Sequence, residues 1–166
     1  LFFDSSFAEH TENIYDEPKW PKKPLFYVSC TSKSDPNTAP KDGDALFILI
    51  PVATGLEDNE ATREKYFNHV IDRIEKMVKQ SFKNNIVFKK SYAHREFLAD
   101  YNAYKGNAYG LANTLFQTAF FRPKIKNRYL KNLYYTGQLT VPGPGMPPAL
   151  VSGKIVANQI KEDLNE

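Results

Sequence analysis

Two short apolar runs, LFYVSC at 25–30 and ALFILI at 45–50, are rich in β-branched and aromatic residues and are bounded by clusters of Pro, Gly, Asp and Asn. This pattern predicts two strands, paired across the polar stretch SKSDPNTAPKDGD. Over 60–82 the period changes, and Phe67, Val70, Ile71, Ile74, Met77 and Val78 recur at helical spacing behind Asp58 or Asn59 as N-cap. A long amphipathic helix is predicted there. His69 lies beside the apolar stripe with no second His, Cys or carboxylate at metal spacing, so it reads as structural and no metal site is expected. NIVFKKSY (85–92) alternates weakly and predicts a strand or edge strand, and HREFLADY (94–101) predicts a short helix.

The following stretch, YNAYKGNAYGLANTLFQTAFF (101–121), mixes small residues with Tyr101, Tyr104, Tyr109, Phe116, Phe120 and Phe121, while Gly106 and Gly110 interrupt any long helix. Two readings are open: core packing, or the lining of a pocket for a long apolar ligand. NLYYTG (132–137) predicts a strand that ends at Gly137. The next segment, TGQLTVPGPGMPP, carries four prolines and three glycines in thirteen residues. Pro fixes φ and gives up its N–H, and Gly tolerates positive φ, so the loop has a definite shape. It is either a connecting turn or a ligand-cradling loop. Pro147 and Pro148 suit the first positions of a final helix running to about Asp163. That helix offers Leu150, Val156, Ile160 and Leu164 for burial, and Ala149, Ser152, Gly153 and Ala157 for close packing. Its first turn has no Asp or Glu to offset the positive end of the helix dipole. Strand, Gly-containing loop and helix N-terminus together suit anionic or electron-rich groups. GPGMPP is not GxGxxG, however, and no P-loop is present, so this loop can only complete a site built mainly by other residues.

A length of 166 residues fits one ordinary domain. The 12 Phe and 10 Tyr are many for that length and imply much aromatic surface to bury. Cys30 is alone, which excludes an internal disulfide and a cysteine-rich zinc site. No apolar run reaches the ~18 residues of a membrane span, and the start lacks the basic and apolar regions of a signal peptide, so an intracellular setting is expected. The chain opens LFFDSSF, apolar and without a helix cap, and reads as entered in mid-element: a fragment, or a processed or partial protein. Charge is uneven, with 5 Lys/Arg against 11 Asp/Glu in residues 1–60 and 17 against 8 in 61–166. A basic face can collect phosphates, yet KNNIVFKK and RPKIKNRYLKN match no nucleic-acid module, and a solvated surface is the expected reading.

NLYYTGQLTVPGPGMPPALVSGKIVANQI resembles the C-terminal signature of bacterial carotenoid desaturases of the phytoene dehydrogenase type, flavoproteins of the amine oxidase-like superfamily. YNAYKGNAYGLANTLFQTAFFRPK and the opening LFFDSSFAEHTENIYD are similar to the same family, so the resemblance covers essentially the whole chain and matches about the last third of such an enzyme. It implies an α/β architecture: residues 1–128 from a mixed-sheet substrate-binding domain, and 129–166 supplying the final strand and helix of an FAD-binding, Rossmann-like domain. The resemblance makes Gly137, Gln138, Gly145, Met146 and Pro147 the flavin contacts. It makes Tyr101, Tyr104, Tyr109, Phe116 and Phe120 the lining for a carotenoid polyene. The PGPG loop would bring backbone against the flavin ring, and the open helix N-terminus would stabilise negative charge developing at its N1/C2 carbonyl edge.

The implied activity is FAD-dependent desaturation of a carotenoid such as phytoene, by an enzyme peripheral to the inner face of the cell membrane. The missing N-terminal FAD-binding part would be its partner in the site, and the 166 residues alone are expected to be inactive. Many relatives carry His where this chain has Val141, so no catalytic acid or base is assigned. Within the superfamily a retinoid or another isoprenoid is an alternative substrate. A non-catalytic lipid-binding module and a basic RNA-binding module are the readings from other classes.

Overall fold

The computed structural model describes residues 4–112 and 114–164. Along them run α1 (Phe7–Tyr15), β1 (Tyr27–Cys30), β2 (Leu46–Leu49), α2 (Glu60–Val78), α3 (His94–Tyr101) and α4 (Met146–Asp163), joined by 3-10 turns and extended segments. Helices with a small sheet give the mixed class that the sequence pattern predicts. The chain divides into two compact units, the first ending at Glu96 and the second beginning at Phe97.

The first unit is built on the predicted hairpin and helix. β1 and β2 pair antiparallel with Tyr27 opposite Leu49 and Val28 opposite Ile48. Val28, Ile48 and Ile50 pack on the apolar stripe of α2, where Phe26, Val70, Ile71 and Ile74 form the buried core. Of the two N-cap candidates Asn59 is used: its side chain accepts the Thr62 N–H at 2.8 Å. The helix stops at Lys79, which takes the left-handed conformation with φ 54°. α1 was not legible from the apolar run at the start of the chain, whose residues 1–3 lie outside the described residues. Its signal is the capping pair Ser6 and Glu9, with Ser6 Oγ accepting the Glu9 N–H at 3.2 Å. His10 on α1 is buried and bridges two segments. Its Nδ1 accepts the Leu25 N–H at 2.8 Å, which fixes Nε2 as the protonated nitrogen facing the Pro51 carbonyl at 2.7 Å.

The strand predicted at 85–92 does not form. A 3-10 turn (Lys83–Asn85) leads into an extended segment that pairs with neither β1 nor β2. Ile86 packs on the core, while Val87 and Phe88 are 98% and 78% exposed. Weak alternation gave the segment one inward residue but no strand edge to bond to.

In the second unit the strand predicted at 132–137 is reduced to a single bridge between Lys126 and Tyr134. Two backbone bonds flank it, Tyr135 N–H to Ile125 O at 2.7 Å and Asn127 N–H to Leu133 O at 2.9 Å. α4 begins at Met146, with Pro147 and Pro148 following in its first turn. Of the expected burial face Val156 is buried and Ile160 half-buried, but Leu150 and Leu164 are exposed. The buried stripe instead runs through Ser152 and Val156, one helical turn apart.

A half-buried ion network closes the first unit. Arg63 donates from Nε and Nη2 to the two Asp58 oxygens, each at 2.6 Å, and from Nη1 and Nη2 to Glu96 at 2.9 and 2.7 Å. The hydrogen bonds from Arg63 hold the Asp58 carboxyl at about 2 despite its desolvation. The same donors hold Glu96 at about 2. Both values lie below the ordinary carboxylate range, so the stabilisation is complete above about pH 4.5 and is lost as pH falls toward about 2. Arg63→Met, compared with wild type by thermal unfolding, should lose about 3 kcal/mol near neutral pH. That gap should narrow sharply near about pH 2.5. A gap that does not change with pH would mean that Arg63 acts only by packing.

Candidate functional site

The loop from Gly137 to Gly145 leads into α4 and contains Pro142 and Pro144, which offer no N–H for backbone bonds. Gly137, Gly143 and Gly145 take φ of 99°, 135° and 113°, a region L side chains rarely adopt. A tight turn opens the loop, with Gly137 O accepting the Thr140 N–H at 3.1 Å and the Thr140 hydroxyl at 3.0 Å. Ser152 on α4, 0% exposed, holds this turn from below. Its Oγ accepts the Gly137 N–H at 3.0 Å and lies 2.8 Å from Thr140 Oγ1 and 3.2 Å from Thr136 Oγ1.

Arg122, 5% exposed, holds the loop from a separate segment. Its Nη1 donates to the Gln138 carbonyl at 3.1 Å. Its guanidinium also lies so close to Gly143 that a Cβ there would stand 3.2 Å from Cζ and Nη2.

Gly145 is the N-cap of α4 and has no side chain with which to cap it. The first four N–H groups of a helix lack intrahelical partners; here Pro147 and Pro148 remove two of them. The Gly145 and Met146 N–H groups remain, and among the described residues no protein acceptor engages either. The first turn carries no acidic residue, so the dipole end, about half a positive charge, is uncompensated. Chemically the junction offers two N–H donors and a positive field to a carbonyl or anionic oxygen. A Cβ on Gly145 would meet Pro148 Cδ at 3.4 Å and would face a φ of 113°. The bare backbone there is what a flat ring could approach, so the residues present fit one edge of a flavin.

Gly137, Gln138, Gly145, Met146 and Pro147, the flavin contacts implied by resemblance, therefore lie on one loop–helix junction. The polyene set is placed differently. Tyr101, Tyr104, Tyr109, Phe116 and Phe120 are all exposed, so they are not core. Only Phe120 borders the groove beside the loop, an open hollow of about 560 Å³ shared with Arg122, Lys124, Lys126 and Val141. His69 is half-buried, and desolvation pushes its pKa down. No cluster of three or more metal-ligating side chains occurs among the described residues, and no helix there is long and apolar enough to cross a membrane.

Three residues of this site were not singled out for it by the sequence. Ser152 was visible only as a small helix residue; its hydroxyl among apolar neighbours was the available signal. Thr140 carried none. Arg122 sat in a basic run that reads as solvated surface, and only its burial sets it apart.

A family model described as "Flavin containing amine oxidoreductase" matches residues 1–161. The chain is 38% identical over 99% of its length to a "Carotenoid 3,4-desaturase" of Haloarcula japonica, covering 33% of that protein. It is 30% identical over 98% of its length to a "4,4'-diapolycopen-4-al dehydrogenase" of Metabacillus indicus, covering 33% of it. It is also 30% identical over 98% of its length to a "Phytoene desaturase" of Neurospora crassa, covering 28% of it. The chain thus spans about a third of the length of the relatives it matches.

Removing the Ser152 hydroxyl should leave the Gly137 N–H and the Thr140 hydroxyl short of a buried partner. Ser152→Ala is expected to lose about 1–3 kcal/mol in chemical denaturation. A loss below about 0.5 kcal/mol, typical of an unimportant surface change, would show that the turn stands without it.

Proposed function

Since the chain belongs to the family of flavin-containing amine oxidoreductases, we propose that it forms part of an FAD-dependent carotenoid desaturase. The single observation that carries the assignment to this site is the open end of α4. It presents two N–H groups that no acceptor engages among the described residues, with no acidic residue in the first turn and the bare, exposed backbone of Gly145 beside them. In this reading residues 129–166 close the flavin domain and residues 1–128 belong to the substrate domain. Protein beyond these 166 residues supplies the pyrophosphate-binding part, because the chain has no GxGxxG of its own. That same protein would give the 132–137 segment strand neighbours beyond its single bridge to Lys126.

Bound FAD would supply the hydride acceptor for conversion of a C–C single bond to a double bond, the second hydrogen leaving as a proton. Gly137, Gln138, Gly145, Met146 and Pro147 would line its edge. The Gly145 and Met146 amides and the α4 dipole would favour negative charge on a ring oxygen facing them, an effect of about 1 kcal/mol or somewhat more when water is excluded. Val141 contributes an apolar wall to the groove beside the loop, and no acid or base of this chain is assigned. Proton release to water is therefore the simplest route. The exposed aromatics Tyr101, Tyr104, Tyr109, Phe116 and Phe120 would serve a polyene, Phe120 from the groove beside the loop. The names of the relatives support a carotenoid substrate over a retinoid or another isoprenoid.

An apolar substrate of this kind is taken from a bilayer, and peripheral membrane association follows as part of the reading. Val87 and Phe88 stand out from the surface next to Lys89 and Lys90, which suits shallow insertion into an anionic leaflet. The whole protein should float with anionic liposomes at low salt, and Val87→Asp with Phe88→Asp should reduce the floated fraction several-fold. Equal flotation of wild type and variant would remove this segment from the membrane contact.

The cofactor assignment is tested on the whole purified protein, whose absorbance should show flavin bands near about 370 and 450 nm. Gly145→Val should release the flavin, because a β-branched residue cannot hold φ of 113° without moving the loop. Gly145→Ala should weaken it less. The FAD-free forms should differ far less in melting than the loaded forms, since bound FAD itself adds stability. Full flavin occupancy in both variants would make Gly145 a turn residue and would end the flavin-contact reading of the loop.

A further inference from the structure

We propose that Arg122 is the positioning residue of the flavin-facing loop, a proposal that rests on the flavin reading of that loop. Beyond the turn at Gly137–Thr140, Pro142 and Pro144 leave the loop few N–H groups with which to fix itself. A side chain has to do so, and Arg122 meets the loop at two points on either side of Pro142. Its Nη1 donates to the Gln138 carbonyl at 3.1 Å, and the guanidinium lies against the Gly143 backbone.

A planar guanidinium can donate in its plane while a peptide rests on its face, which an ammonium cannot do. Arg122 is buried, so the group is held in one place rather than sampling solvent. Gly143 is needed for two separable reasons: φ of 135°, and the absence of room for a Cβ against the guanidinium. Pro144 then fixes φ directly after Gly143, so the position of Arg122 carries through to the Gly145 and Met146 amides. Arg122 would thus set where those donors point without touching the ring itself.

The test uses Arg122→Gln, Arg122→Lys, Gly143→Ala and the Arg122→Gln/Gly143→Ala pair in the whole, flavin-loaded protein. The readouts are the FAD dissociation constant and, in the FAD-free forms, deuterium exchange at the Gly137 and Thr140 amides. Arg122→Gln and Gly143→Ala should each raise the dissociation constant about tenfold or more, with the pair raising it by less than the product because the two sites share one contact. Arg122→Lys should recover only part of the loss. Exchange should quicken at Gly137 and Thr140 while the core of α2 keeps its protection. Unchanged FAD affinity in both single variants, or a fully multiplicative pair, overturns the proposal. So does exchange that quickens throughout the protein, which would mark Arg122 as a general stabiliser. Wild-type protein that holds no flavin overturns the flavin reading and this proposal's ligand with it. Unchanged exchange in Arg122→Gln overturns the role of Arg122 whatever the flavin result.

Discussion

A proline-rich loop has too few N–H groups to hold its own shape, and the candidate site follows from how this chain meets that constraint. Each Pro between 142 and 148 removes a donor, so the ordinary means of fixing a backbone, a ladder of peptide bonds, is unavailable. The chain substitutes side chains. The Ser152 hydroxyl holds the turn at Gly137 and Thr140 from α4, and the Arg122 guanidinium holds Gln138 and Gly143. Both groups are buried, where a hydrogen bond has no water competing for it. With its shape supplied from outside, the loop can leave its last two amides unpaired at the start of α4.

The first unit uses a different principle. Its core is a small apolar contact between one hairpin face and one helix stripe, and a two-stranded sheet is marginal without such a partner. Charge supplies the rest of the order. Arg63 binds Asp58 and Glu96 in one planar group, joining the start of α2 to the start of α3. Removing one member would leave the others desolvated without compensation, so the network fixes geometry more than it adds net stability.

Exposed aromatic side chains are the other prominent feature. Tyr101, Tyr104, Tyr109, Phe116 and Phe120 all lie at the surface, where apolar area of this size commonly marks a binding or docking face. Phe116 contacts Phe121 edge to face, with ring centroids 5.7 Å apart. The chain spans only about a third of its relatives' length. In the proposed reading a polyene or further protein would cover this surface.

Elements set by local pattern were legible in the sequence: the hairpin, α2 with its cap, α3, and α4 with prolines in its first turn. Periodicity and capping act between near neighbours, so no tertiary information is needed to read them. The loop's stiffness and the lack of an acidic residue in the first turn of α4 were legible for the same reason. The strand at 85–92 was not correctly read, and the one at 132–137 appears here only as a single bridge, because a strand exists only where another edge bonds to it. Neither was the burial of Leu150 or Leu164, nor the roles of Ser152 and Arg122. An arginine in a basic run carries no local mark of burial, and a serine in a helix carries only its apolar neighbours as a mark. Only the tertiary structure, by bringing both against a loop distant in sequence, decided that these two side chains hold the candidate site.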